Sequence, residues 1–524
     1  VTGLRLIVSA FAIALLLAPQ TTLGVFHVFL LAGFGLLVVW RLVLVVTGFF
    51  FGWRSHPSLP VTPLALPRYT VLVALYREQD ALPGLVSSLS ALDYPASRME
   101  VFFLVEEEDD DGTRDALSGM PPPPHFHIVT VPDGQPRTKP RALNFGLSLA
   151  TGTRLVIYDA EDRPHRHQLR AAVAQFAASG RQTACLQAPL IAYNTSESWP
   201  AAQWGLEYLV HFGLIVPALA RLGLPVPLGG TSNHFDVDIL RKFGGWDAWN
   251  VTEDADLGLR LARNGYHIGV VRPPTLEEAP IGPRTWTAQR SRWLKGHAQT
   301  WLVAIRRRAE AARLGALQWA AIHLMLAGAV ASAALHPWLA AGIVAALLVP
   351  GLALTGADWA VLAAGIAVNA LAAFLAGLRS GRMPVLALLT QPLYWPLHSL
   401  AAARALFGLF SNPISGRRPI TGSRALSRCL NLRCSETQTD RLHAAGRHMP
   451  EPQPHVPHAR LDPDTDRPRA QHRSLRAGEC ACGSARRSAA PALDSVEADD
   501  RSLGISDCAR HRPYGQSAGL GNRP

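Results

Sequence analysis

The chain has 524 residues, is 48% hydrophobic and only 17% charged, and carries a net charge of +11. Such length accommodates more than one domain, and so apolar a balance argues against an ordinary soluble enzyme and for membrane segments. The basic residues lie beside apolar runs and in the C-terminal tail, with no aromatic-interleaved stripe. This excludes nucleic acid as the expected partner and leaves an anionic membrane surface.

Residues 5–19 are almost wholly apolar, and a second apolar run, 23–53, is interrupted by His27 and Arg41. About 20 apolar residues span a bilayer, so residues 1–54 are expected to form two membrane helices, or a signal peptide followed by one helix. Arg54, Arg68 and Arg77 follow, which predicts a cytosolic location for the next domain.

A Pro-punctuated linker leads into an α/β pattern. Strands are predicted at 69–75, 100–106, 126–131 and 154–159, with helices at 78–91 and 139–150 between them. Strands alternating with helices predict a mostly parallel sheet with ligands outside the strand C-termini. The fourth strand runs into Asp159-Ala160-Glu161-Asp162. Carboxylates at that edge suit a hard cation held against phosphate oxygens.

Residues 199–222 form an apolar, aromatic helical stretch, and Gly229–Phe235 is expected to be a polar turn. A helix over 254–264 is predicted, with Thr252 as its N-cap, Asp256 in its first turn and Gly265 as its stop. Residues 285–308 are amphipathic and suited to a membrane interface. Apolar runs return at 315–334, 336–355, 357–378 and 384–410. Strict alternation across four spans would place Arg379 and Arg382 outside, against the positive-inside rule, so one run is expected to be interfacial or re-entrant.

From about residue 413 the chain is rich in Arg, Pro, Ala and Ser and has no sustained apolar periodicity, so 413–524 is expected to be a disordered tail. Of six cysteines only Cys185 precedes it, which leaves the rest of the chain without an internal disulfide and suited to a reducing compartment.

Asp109-Asp110-Asp111, Asp159 to Asp162, Thr252-Glu253-Asp254 and Gln289-Arg290-Ser291-Arg292-Trp293 follow one another in order. This series resembles the processive branch of glycosyltransferase family 2, which includes cellulose-synthase-like and hyaluronan-synthase-like enzymes. Gly229 to Phe235 and Gly244-Gly245-Trp246-Asp247 resemble bacterial exopolysaccharide synthases. The resemblance covers residues 68–410. It implies a GT-A type, Rossmann-like α/β domain at 68–312, interfacial helix included, flanked by the transmembrane helices of 1–54 and 313–412. The expected location is multi-pass in a bacterial inner membrane, with the catalytic domain cytosolic.

The resemblance also implies inverting transfer from a nucleotide-diphosphate sugar, a UDP- or GDP-sugar, to a growing exopolysaccharide; the alternative is a glycolipid product. A non-catalytic membrane scaffold is a further alternative, which the full acid set disfavours. Asp254 looks like the general base and Glu253 a positioning residue. Asp110, Asp111, Lys139, Asp159 and Arg292 are expected on the donor side. Gln289, Trp293, His234 and Trp246 are expected on the acceptor side. Mg²⁺ or Mn²⁺ is expected on Asp159 with Glu161 or Asp162, the family's second aspartate being Glu161 here. Gln289, Arg292 and Trp293 share one helix face by their i, i+3, i+4 spacing.

Overall fold

The computed structural model describes residues 2–52, 66–107, 112–120, 122–307, 313–349 and 354–411. Asp110, Asp111 and the tail after residue 412 lie outside the described residues.

Among the described residues ten strands form two sheets: β1 (Tyr69–Leu75), β2 (Met99–Glu106), β3 (Phe126–Val131), β4 (Arg154–Tyr158), β5 (Arg163–Pro164), β6 (Thr183–Gln187), β7 (Leu190–Ala192), β8 (Asn233–Asp236), β9 (His267–Val270) and β10 (Thr275–Glu277). The larger sheet has the order β3-β2-β1-β4-β8-β6-β9. β1 to β4 pair in parallel, as their near-continuous apolar runs predict. β8 runs antiparallel to both β4 and β6, so the sheet is mixed. The expectation of a turn through Phe235 is therefore corrected. Asn233, His234 and Phe235 are fully buried strand residues. The polar pair hid the strand because the partners of His234, Tyr69 and Gln168, lie far away in the chain.

Alternation along each strand divides two apolar layers. Tyr69, Val71, Val73 and Leu75 pack with Phe103 and Val105 against the short helix Leu82–Ser90. Leu72, Leu104, Leu155 and Ile157 pack on the other face against helix Lys139–Leu149. Gly146 of that helix allows the close fit, since a Cβ there would lie 2.9 Å from a Leu104 methyl. The first helix starts four residues later than predicted. Residues 78–81 form a turn instead, which keeps Tyr76 and Glu78 at the end of β1, beside the cavity described below.

Among the described residues three helices are long and apolar enough to cross a membrane: Pro19–Phe51, Ala316–Leu348 and Gly356–Ser380. The N-terminal Thr2–Leu17 helix has 16 residues, short of the roughly 20 needed. The expected runs 315–334 and 336–355 are one helix, continuing through a π-turn at His323–Ala327 and past Pro337. That merger removes the conflict over Arg379. Its guanidinium donates to the carbonyls of Gly48 and Phe49, both at 2.9 Å, at the end of the Pro19–Phe51 helix nearest the sheet domain. At the far end of the same two helices, His27 Nε2 lies 2.9 Å from Asp358 Oδ1. Arg379 therefore lies on the domain side. Gly48 packs on the Leu214 backbone so closely that a Cβ would overlap its carbonyl, which joins this membrane helix to the domain.

Candidate active site

A cavity of about 510 Å³ opens beyond the C-terminal ends of β1 and β4. Its walls include Tyr76, Glu78, Lys139, Asp159, Glu161, Glu253, Asp254, Glu277, Gln289, Arg292 and Trp293. The sequence motifs, spread over more than 150 residues, thus converge on one space.

Asp159 follows β4 directly. Lys139, in the first turn of the Lys139–Leu149 helix, donates to the Asp159 carboxylate and, at 2.7 Å, to the Gly230 carbonyl. Gly230 in turn lies against Asp254: a Cβ there would be 3.3 Å from Asp254 Oδ2. Asp162 is placed differently. It is fully buried, and its Oδ2 accepts from the Asp159 backbone N–H at 2.8 Å and from the Thr231 hydroxyl. Asp162 therefore shapes the turn behind the cavity rather than facing it. Of the two residues left open as partners of Asp159, only Glu161 is in the wall.

Helix Glu253–Arg263 starts after Thr252, as predicted, but Thr252 does not cap it with its side chain. Its hydroxyl instead lies 3.4 Å from that of Thr300 on helix Pro283–Arg306. Asp254 Oδ1 accepts from the Ala255 N–H at 2.8 Å.

The acids press on one another. Burial, then the Asp159 charge, pushes Glu161 up to about 7. Burial, then Asp254, pushes Glu253 up to about 7, and burial raises Asp254 as well. Glu277 is held well above the usual carboxylate range by burial and then by Asp162, Glu161 and Asp159. Burial works to lower Lys139, but Asp159 and Glu253 outweigh it and hold the ammonium charged. The donor set is all oxygen and carries more negative charge than Lys139 can balance, which fits a hard dication. Among the described residues no three His, Cys, Asp or Glu side chains form a complete cage. Asp159 and Glu161 would hold such an ion together with water and phosphate oxygens, as Mg²⁺ is usually held.

On helix Pro283–Arg306, Gln289, Arg292 and Trp293 all reach the cavity. Trp293 packs on Trp204, with ring centroids 4.8 Å apart. The intervening Arg290 lies 5.0 Å from both of those rings and 5.3 Å from Trp286. Its guanidinium pairs with Glu207. The other Glu207 partners are Tyr394, whose hydroxyl donates at 3.0 Å, and His398 at 3.2 Å. Burial works to raise Glu207, but Arg290 and then His398 overcome it and pull it down to about 2.

Two expected acceptor residues belong to the core instead. His234 is fully buried in β8, with Nδ1 2.7 Å from the Tyr69 hydroxyl and Nε2 3.2 Å from Gln168 Oε1. Burial lowers it to about 3, so it is neutral. Trp246 is 2% exposed, with its ring edge-on to Phe235 and its backbone tied to Asn144. Conversely, Glu277, Arg41, His211 and His297 line the cavity without having been singled out. Arg41 had a signal, as the only Asp, Glu, Lys or Arg in a 33-residue apolar helix. The other three had none.

A mixed sheet with an acid-lined cleft at its strand ends is a GT-A-like glycosyltransferase architecture. Residues 155–403 match the model for glycosyl transferase family group 2, and residues 70–226 that for glycosyl transferase family 2. Residues 70–403 are therefore a family 2 glycosyltransferase domain. The chain is 28% identical over 238 residues to a beta-monoglucosyldiacylglycerol synthase of Synechocystis sp., covering 45% of this chain and 49% of that protein. It is 25% identical over 265 residues to the cellulose synthase 1 catalytic subunit [UDP-forming] of Komagataeibacter xylinus, covering 48% of this chain and 33% of that one. The chain thus spans half or less of the length of these curated relatives. The fold is shared with the mannosyltransferase PcManGT of Pyrobaculum calidifontis, solved with GDP-Man and Mn²⁺. The TM-score is 0.50 at 23% identity, over 77% of this chain and 99% of that one.

Proposed function

We propose that the chain is a membrane-bound, inverting glycosyltransferase moving a hexosyl group from a UDP- or GDP-sugar to an acceptor hydroxyl. The observation that carries this is the contact of Lys139 with both Asp159 and Gly230, which brings the acid cluster beside Asp254 in one cavity. Asp254 takes the acceptor proton as the hydroxyl attacks, and Glu253 positions it. Lys139 and Arg292 bind the diphosphate. Asp110 and Asp111, outside the described residues, are assigned to the nucleoside end. Asp159 and Glu161 hold Mg²⁺ or Mn²⁺, which when bound acts as a Lewis acid on the leaving diphosphate. The PcManGT complex with GDP-Man and Mn²⁺ supports that pairing.

The acceptor approaches from the membrane. The cavity wall farthest along includes Arg41 of helix Pro19–Phe51 and Met325 and Ala329 of helix Ala316–Leu348. This favours a lipid-borne acceptor, in keeping with the glycolipid synthase relative. A growing exopolysaccharide is the second reading, favoured by Gln289, Arg292 and the packed pair Trp204–Trp293 at the cavity.

Membranes containing the protein would be given Mn²⁺ or Mg²⁺ and a panel of radiolabelled nucleotide sugars. Label in a solvent-extractable lipid supports the first reading, and label in high-molecular-weight polymer the second. No incorporation from any donor would refute both.

A further inference from the structure

We propose that Arg41 binds a phosphate group carried by the lipid acceptor, at the membrane end of the catalytic cavity. The proposal rests on the lipid-acceptor reading above and names the chemistry of its headgroup.

Arg41 is the sole Asp, Glu, Lys or Arg in the 33-residue helix Pro19–Phe51. A guanidinium in an apolar span is costly, and where one persists it faces a protein interior or cavity and marks a site. Arg41 fits that rule: it lines the same cavity as Asp159 and Asp254. Its Nε is buried and has no hydrogen-bond partner among the described residues. Among the described residues Glu207 is the acid whose field reaches it. Both Glu207 oxygens are already engaged, Oε2 by Arg290 and Tyr394 and Oε1 by His398. Arg41 therefore adds a positive charge that no acid among the described residues is free to match.

The surroundings suit a phosphate ester. His211 and His297 line the same end, and His297 Nδ1 is buried without a partner. Burial holds both imidazoles at about 4, so near neutrality each offers one N–H without further charge. Met325 and Ala329 supply apolar wall from a second membrane helix. The donor diphosphate has separate cations. Lys139 and Arg292 both act on Glu253, whereas Arg41 and Arg290 answer to Glu207. The cavity thus has two cationic ends, one at the acid cluster and one at the membrane.

The test uses the full chain in phosphatidylcholine nanodiscs, with displacement of a fluorescent phosphatidic acid as readout. Unlabelled phosphatidic acid, diacylglycerol, inorganic phosphate and a uronic-acid oligosaccharide serve as competitors. A charge-assisted hydrogen-bond site predicts that phosphatidic acid competes about tenfold or more better than diacylglycerol. Arg41→Met abolishes that preference and Arg41→Lys retains part of it. UDP and GDP binding, read by tryptophan quenching, stays unchanged in both variants and shows that they fold. Equal competition by the two lipids, or an undiminished preference in Arg41→Met, overturns the proposal. Inorganic phosphate competing as well as phosphatidic acid would make this a free-phosphate site, and displacement by the oligosaccharide alone would make it a polymer site; either overturns the lipid assignment. Phosphate-dependent lipid binding without sugar transfer to any lipid would sink the lipid-acceptor function while leaving the Arg41 site standing.

Discussion

Lys139 and Asp159 are joined by a direct ion pair, and the same ammonium donates to the Gly230 carbonyl at 2.7 Å. One cation thus ties the end of β4 to the loop that packs on Asp254. Removing one partner of a buried pair leaves the other uncompensated. Because this pair is only partly buried, Lys139→Met is expected to cost about 1–2 kcal/mol in cation-free thermal unfolding, with much of the loss restored by saturating Mn²⁺. A variant as stable as wild type without Mn²⁺ would show that the ammonium does not hold the cluster.

Asp254→Asn should lower kcat by about 10²–10⁴-fold while leaving nucleotide affinity intact. The base must be deprotonated to act, so activity rises with pH through its pKa. Burial raises Asp254, and Glu253 is held at about 7 by burial and by Asp254 itself. The acidic limb of kcat/KM should therefore lie above the usual carboxylate range. Asp254 raises Glu253 and not the reverse, so Glu253→Gln should leave that limb in place; a limb that moves to lower pH would show that the two carboxyls titrate together.

Cation dependence should rank the acids. Glu161→Gln is expected to raise the Mn²⁺ concentration for half-maximal activity by about tenfold, the loss of one charged ligand. Asp162→Asn should lower thermal stability with little change in that concentration, because Asp162 holds the turn at Asp159 N–H and Thr231. Chelation by EDTA should stop transfer, and added Mn²⁺ should restore it. An equal Mn²⁺ requirement in Glu161→Gln and wild type would remove Glu161 from the ligand set.

His234→Phe should leave the acceptor KM unchanged and cost about 2 kcal/mol, since Tyr69 and Gln168 each lose a buried partner. Burial lowers the native His234 to about 3, while an unfolded histidine titrates near 6.5. Its share of stability is whole above pH 6.5 and drains away as pH falls towards 3, by about 1.4 kcal/mol per pH unit. The Phe variant should accordingly lose less stability than wild type on acidification. A raised acceptor KM would return His234 to the acceptor side.

Glu207→Ala would strand Arg290 among Trp204, Trp286 and Trp293. A loss of about 3–5 kcal/mol is expected, and the double variant with Arg290→Met should recover part of it. The wild-type contribution has the opposite sense to a raised acid. With Glu207 pulled down to about 2, it is present above the ordinary glutamate pKa and lost as pH falls towards 2. Additive losses in the double variant would mean that the pair is not coupled.

Strands β1, β2 and β4 were legible in the sequence because each buries both faces, which imposes an apolar run such as Tyr69–Leu75 between polar turns, while β3 at the sheet edge keeps His127 and Thr130 exposed. Asp159, Glu161, Lys139, Asp254, Gln289, Arg292 and Trp293 were legible as an ordered series, and the fold brings all of them to one cavity. Local pattern could not reveal β8. His234 reads as a turn residue until Tyr69 and Gln168 are seen to engage both of its ring nitrogens, and Asn233 until its amide is seen to donate to the Gly229 carbonyl. Nor could it separate Glu161 from Asp162, neighbours in the chain that the turn sends to opposite sides of the wall. Periodicity and composition are set within a few residues of the chain, so the sequence alone determined the first four strands, the apolar runs and the order of the acids. Which polar group meets water, a ligand or a buried partner depends on contacts across hundreds of residues. Only the tertiary structure put His234 in the core, Glu277 beside the acids and Arg41 in the catalytic cavity.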